Sequence, residues 1–278
     1  MKRIVTAAIL VPLVLLVIFL QGPRFVWLLP TLTAIVAGLA AWEFLGLANA
    51  SGAHTPRVLV IVAMAALMFI SLVHPDRVAP TISALSIAIF AYCAFRGPLD
   101  TVLPDVASSV FCLVYIGLSM ATLPWLAAQE NGPSLLTFLF CVVWTGDVAG
   151  LYIGRSFGRH KLAPRLSPNK TWEGTIASVI GSVLITLLLV IIAELLARRG
   201  SSLLAYPGPI FRWIFLAIVL NIAAQTGDLV ESAIKRGAGV KDSGALLPGH
   251  GGMLDRIDAL LLAAPVLWYA QLVQSPIF

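Results

Sequence analysis

The chain has 278 residues, 59% of them hydrophobic and only 11% charged, with 18 Lys/Arg against 13 Asp/Glu. Its mean hydropathy of +0.96 excludes an ordinary soluble domain, in which roughly a quarter of the residues carry charge. The apolar residues fall in long blocks rather than amphipathic stripes. About 20 such residues cross a bilayer as a helix, because lipid offers the backbone no hydrogen-bond partner.

An all-α, polytopic membrane bundle is therefore predicted, with about nine spans. They lie near 4–20, 25–42, 57–73, 81–95, 105–128, 134–154, 175–197, 210–227 and 257–275. Lys2 and Arg3 ahead of the first run resemble the start of a signal sequence. Gln21-Gly22-Pro23 offers no small-x-small cleavage site, however, so the run reads as an anchor. With the amino terminus inside, the loops after spans two, four, six and eight are cytoplasmic. They and the amino terminus then hold 13 of the 18 Lys/Arg, as the positive-inside rule requires. The basic pI, about 9.4, follows from this bias and implies no nucleic-acid partner. Cys93, Cys112 and Cys141 all lie in apolar blocks, without disulfide or metal-ligand spacing, and read as small buried hydrophobes.

Residues 1–130 read as scaffold and 131–278 as the catalytic region of one continuous membrane domain. The first five spans hold almost no charged residue besides Glu43, next to Trp42, which is either an interfacial anchor or a bundle-facing group. Polar residues crowd three later places. In WTGDVAGLYIGRSFGRH, Asp147 sits inside an apolar block, where a charge costs about 2.5–3.5 kcal/mol on insertion scales, and so should face a cavity or the bundle. Gly146, Gly150, Gly154 and Gly158 recur every fourth residue, forming a smooth face for close helix packing, within the chain or in a homodimer.

The loop HKLAPRLSPNKTWEG follows, bringing Lys161, Arg165 and Lys170 together. Ser167-Pro168-Asn169-Lys170-Thr171 reads as a donor-rich turn running into a helix amino terminus, a candidate anion cradle. Farther on, Asp228, Glu231, Ser232 and Lys235 fall at i, i+3, i+4 and i+7, on one helical face. Beyond a glycine-rich loop, Asp255 and Asp258 open the last span three residues apart. Acids from two helices could converge on a hard divalent cation, and oxygen-only ligands favour magnesium over zinc. Lys235, Arg236, Lys241 and Arg256 nearby would hold anions, and Gly251 and Gly252 would let backbone N–H groups approach phosphate. His250 is a candidate base or donor. These residues point to magnesium-dependent phosphoryl or nucleotidyl transfer at a membrane surface.

Ser232-x-x-Lys235-Arg236, Lys241-Asp242, Pro248-x-His250-Gly251-Gly252 and Asp255-Arg256-x-Asp258 resemble the carboxy-terminal motif of the phosphatidate cytidylyltransferases. SPNKTWEG and Asp147 with Gly150 and Gly154 are also similar to theirs, although Leu151 stands where many members carry an aromatic. The resemblance covers roughly residues 145–260; the amino-terminal 130 match in hydropathy alone. It implies that CTP and phosphatidic acid give CDP-diacylglycerol and pyrophosphate, with one or two magnesium ions, at the cytoplasmic face of a bacterial inner membrane. It further implies that Asp228, Asp255 and Asp258, with Asp147 and Glu231 as additional candidates, hold metal. Ser232, Lys235 and Arg236 would act at the reacting centre. Lys170, Ser167, Asn169, Thr171, Lys241, His250, Gly251, Gly252 and Arg256 would bind phosphate or nucleotide. Rival readings are a CTP-dependent polyprenol kinase and an ion-coupled transporter. The transporter predicts interrupted spans in both halves, whereas the polar residues here are confined to the second.

Overall fold

A computed structural model of the chain describes residues 12–20, 25–244, 246 and 251–274. The first predicted span is represented by helix α1 over 12–19; its start lies outside the described residues. Next come α2 (Leu28–Ala50), α3 (Arg57–Val73), a 3-10 turn (Pro75–Arg77) running into α4 (Val78–Arg96), and α5 (Val102–Cys112). A π-helical stretch (Leu113–Leu118) joins α5 to α6 (Ser119–Ala127) as one membrane-length segment. Then follow α7 (Gly132–Phe157), strands β1 (Lys161–Ala163) and β2 (Ser167–Thr171), α8 (Trp172–Arg198), α9 (Ile210–Gly237) and α10 (Leu254–Gln274). Among the described residues, seven helical segments are long and apolar enough to cross a membrane. The apolar α3 is shorter, at 17 residues. It stops because His74 precedes Pro75, and a residue before proline is pushed out of the α region; His74 sits at φ −138°, ψ 74°.

The predicted turn at Ser167–Thr171 is instead strand β2. It pairs antiparallel with β1, Lys161 opposite Thr171 and Ala163 opposite Ser167. Pro168 is tolerated because β2 has a single neighbour and needs no ladder donor on its open side. The helix start that was expected to follow is present. Thr171 caps α8, its Oγ1 accepting from Gly174 N at 3.2 Å, which satisfies one of the orphan donors at a helix start.

The glycine stripe of α7 packs within the chain, against α8. A Cβ on Gly174 would lie 2.9 Å from the Gly150 carbonyl oxygen and 3.1 Å from Gly154 Cα. Backbone cannot yield there as a flexible side chain can. Gly174→Val is therefore expected to cost about 1–3 kcal/mol through overpacking, read as a lowered thermal midpoint of the purified protein in detergent. A midpoint equal to wild type would contradict this close approach.

The ends of the bundle alternate as the predicted topology requires. His54 N donates to Asp105 Oδ1 at 2.5 Å, joining the α2–α3 loop to the start of α5. Arg236 Nε donates to the Leu166 carbonyl at 3.3 Å, joining the end of α9 to the hairpin. Glu43 near the end of α2 reaches the start of α10. At the opposite end Trp125 Nε1 donates to the Ser71 carbonyl at 3.0 Å, and Ala205 N to Ser134 Oγ at 2.9 Å. The loops after α2, α4, α7 and α9 thus share one end. Cys93 and Cys112 are buried, Cys141 is half-buried, and all three are free.

Candidate active site

The end of α9 presents Asp228, Glu231, Ser232 and Lys235 on one face, as their spacing predicts. Lys235 Nζ lies 2.5 Å from Glu231 Oε2, an i,i+4 pair, and Ser232 Oγ donates to Asp228 Oδ1 at a long 3.5 Å. Gly227, just before them, lets α10 come close: a Cβ there would run into the Asp258 carbonyl. The approach gathers three acids. Asp228, Glu231 and Asp258 each offer a carboxylate oxygen within 4.8 Å of the others. Glu231 is wholly buried, and its Oε1 has no hydrogen-bond partner among the described residues.

Asp255 has other partners. Its Oδ1 meets Lys235 Nζ at 2.5 Å, and its Oδ2 accepts from Gly252 N at 2.8 Å and from Ser243 N and Oγ at 3.1 Å each. Gly252 therefore spends its N–H on Asp255. Gly251 has φ +77°, and a Cβ there would lie 2.5 Å from Asp255 Oδ2, so glycine is required on both counts. Lys235 is clamped between two acids, with 12% of its side chain exposed. On the other side, Lys170 Nζ from β2 meets Asp228 Oδ2 at 2.7 Å and donates to the Gln225 carbonyl at 3.2 Å. Two lysines thus hold three carboxylates together, an arrangement that like-charge repulsion would otherwise oppose.

Two adjoining cavities open on this cluster, of about 690 and 380 Å³, and share Asp147, Ser167, Asn169 and Asp228. Asp147 thus faces a polar hollow, as an ionisable residue in an apolar span should. The larger cavity follows the glycine face of α7 past Lys170 and Thr171 as far as Gly146 and Ser178. The smaller is ringed by Ser232, Lys235, Arg236, Lys241, Asp255, Arg256 and Asp258. The described site residues named from sequence therefore come together; His250 lies outside the described residues.

Two features were less legible. Asn221 and Gln225 continue the polar face of α9 into the apolar interior. Gln225 Nε2 donates to Asn221 Oδ1 at 2.6 Å, and Asn221 Nδ2 to Ser178 and Ser182 Oγ at 2.8 and 2.9 Å. Their i,i+4 spacing below Asp228 was the available signal. Glu43 and Ser243 are the second case: Glu43 is buried, and Ser243 Oγ lies 2.9 Å from its Oε2. No local pattern links residues 200 positions apart.

A family model described as "Cytidylyltransferase family" matches residues 1–273. The chain belongs to the cytidylyltransferase family. Proteins named phosphatidate cytidylyltransferase are similar to it: that of Brucella suis biovar 1 is 45% identical over 157 residues, covering 56% of this chain and 54% of the relative. That of Mycobacterium leprae is 36% identical over 173 residues, covering 62% and 51%. The chain spans about half the length of these relatives. That of Staphylococcus haemolyticus is 30% identical over 276 residues, covering 96% of this chain and 97% of the relative. The cytidylyltransferase match starts at residue 1, so the family unit includes the helices of the amino-terminal half as well as the motif-bearing half.

Proposed function

We propose that this chain is a phosphatidate cytidylyltransferase, joining CTP and phosphatidic acid to give CDP-diacylglycerol and pyrophosphate. The observation that carries the reading is the meeting of Asp228, Glu231 and Asp258 beside a cavity ringed with Lys235, Arg236, Lys241 and Arg256. Three carboxylates form a hard-oxygen donor set, and the partnerless oxygen of buried Glu231 suits magnesium. Asp228, Glu231 and Asp258 would hold the ion, with Asp147 across the cavity as a further ligand. When bound, magnesium supplies charge neutralisation at phosphate oxygens.

The residues themselves do the rest. The nucleophile is the phosphate of phosphatidic acid, ionised at neutral pH, so the side chains need not abstract a proton. One of its oxygens bonds to the α-phosphorus of CTP as the bond to the β-phosphate oxygen breaks and pyrophosphate departs. The protein's task is to hold two polyanions in line and offset their mutual repulsion. Lys170 and Lys235, each already against a carboxylate, keep positive charge fixed at the inner walls, while Arg236, Lys241 and Arg256 receive phosphate at the rim. Ser232 donates toward the acid cluster. Ser167, Asn169 and Thr171 line the same walls. The bias of Lys/Arg toward this end supports a cytoplasmic site, where a water-soluble nucleotide meets a lipid headgroup in a bacterial plasma membrane.

Purified protein given CTP labelled in the cytidine, phosphatidic acid and magnesium is expected to yield labelled CDP-lipid, and none without the divalent ion. Transfer of label from the γ-phosphate of CTP to a polyprenol, with no CDP-lipid formed, would replace this reading with a kinase.

A further inference from the structure

We infer that Glu43, on α2 in the scaffold half, is a positioning residue that sets the acids of α10 against those of α9. The inference rests on the proposed reaction for its role, but not for its geometry. Glu43 is buried. Its Oε1 accepts from Met253 N at 3.0 Å, and its Oε2 from Leu254 N at 2.9 Å and Ser243 Oγ at 2.9 Å. The first N–H groups of a helix have no partner within it, and a carboxylate there also meets the positive end of the helix dipole. Here that carboxylate comes from a helix two hundred residues away.

The contact leads directly into the site. Leu254 is followed by Asp255, and Asp258 comes one turn later. Ser243 shares its single hydroxyl proton between Glu43 Oε2 and Asp255 Oδ2, while its N–H also donates to Asp255. Asp255 then holds Lys235, and Lys235 holds Glu231. An unbroken chain of polar contacts thus runs from α2 to the buried acid of the cluster. The loop is shaped around Glu43 as well: a Cβ on Gly244 would lie 2.5 Å from its Oε1, and one on Gly252 would collide with its carboxylate. Shortening or neutralising Glu43 changes where α10 begins, and with it the spacing of Asp258 from Asp228 and Glu231.

The test uses full-length Glu43→Gln and Glu43→Asp beside wild type. Two quantities are read: the magnesium concentration for half-maximal CDP-lipid formation, and Mn2+ binding by electron paramagnetic resonance without substrate. Glu43→Gln turns one acceptor into an N–H donor facing other donors. It should weaken Mn2+ binding and raise the magnesium requirement about tenfold or more, the range for residues that orient metal ligands, with KM for CTP nearly unchanged. Glu43→Asp, which keeps the charge, should recover part of the loss. Unchanged Mn2+ binding and magnesium requirement in Glu43→Gln, with activity lost only in step with folded protein, would overturn the inference. If Glu43→Gln does not accumulate, Ser243→Ala interrupts the same chain with little loss of volume and is held to the same criteria. If wild type makes no CDP-lipid, the proposed reaction fails, and Mn2+ binding alone still decides for or against Glu43.

Discussion

Asp258→Asn should reduce CDP-lipid formation by roughly a thousandfold or more while leaving the bundle folded. A bound divalent ion contributes several kcal/mol of charge stabilisation in the transition state, and each 1.36 kcal/mol is a factor of ten in rate. Asparagine keeps the shape of aspartate but takes one negative charge out of a cluster whose oxygens lie within 4.8 Å of one another. Relief of like-charge repulsion means the thermal midpoint should hold or rise. Lost turnover with preserved stability separates a binding site from a structural acid cluster. Asp255→Asn is the informative comparison, because both Asp255 oxygens already have protein partners. If it loses turnover yet keeps Mn2+ binding, Asp255 acts by holding Lys235 and the loop rather than by ligating the ion. Wild-type rates from Asp258→Asn would remove the metal assignment altogether.

Lys235→Met should give the largest loss of stability at the site. Lys235 separates Glu231, with no exposed side-chain surface, from Asp255, with 8%. Methionine matches the length of the stem but removes the charge, stranding two carboxylates away from water. Removing one partner of a buried ion pair typically costs about 3–5 kcal/mol, because the remaining charge goes uncompensated. Chemical denaturation in mixed micelles reads this directly. Adding Glu231→Gln to Lys235→Met removes one of the stranded charges, so the double variant should regain part of the lost stability but no activity. A stable Lys235→Met, or a double variant no better than the single, would show that the acids are not held by this lysine.

The spans were legible in the sequence because the bilayer imposes a length and a polarity that few other environments do. Their edges were not. The eighth apolar block stops near 227, yet α9 continues to Gly237. Asp228, Glu231 and Lys235 look like loop residues to hydropathy, but Lys235 is paired with Glu231 and with Asp255 of α10, and Asp228 with Lys170 of β2. The same cause shortened the predicted last span, since Leu254 to Arg256 already belong to α10. Spacing along a helix also made the shared face of α9 legible, and motif resemblance covered the basic ring. Pairings across the fold had no such signal. That Asp255 would pair with Lys235, that SPNKT would lie flat as a strand, and that Glu43 would reach α10 depend on distances closed only by tertiary packing.

The far end of the molecule is finished differently. Trp213 stacks edge-on against Phe138 and Tyr206, with ring centroids 5.1 and 5.0 Å away, and its Nε1 donates to the Pro207 carbonyl at 3.1 Å. In the loop that follows α8, Gly200 turns with φ +76° and has nothing near the position of a Cβ. A fluorophore, affinity handle or antibody epitope inserted there would sit across the bilayer from the acids. Attached cargo at that point would follow the protein through purification and imaging without reaching the chemistry.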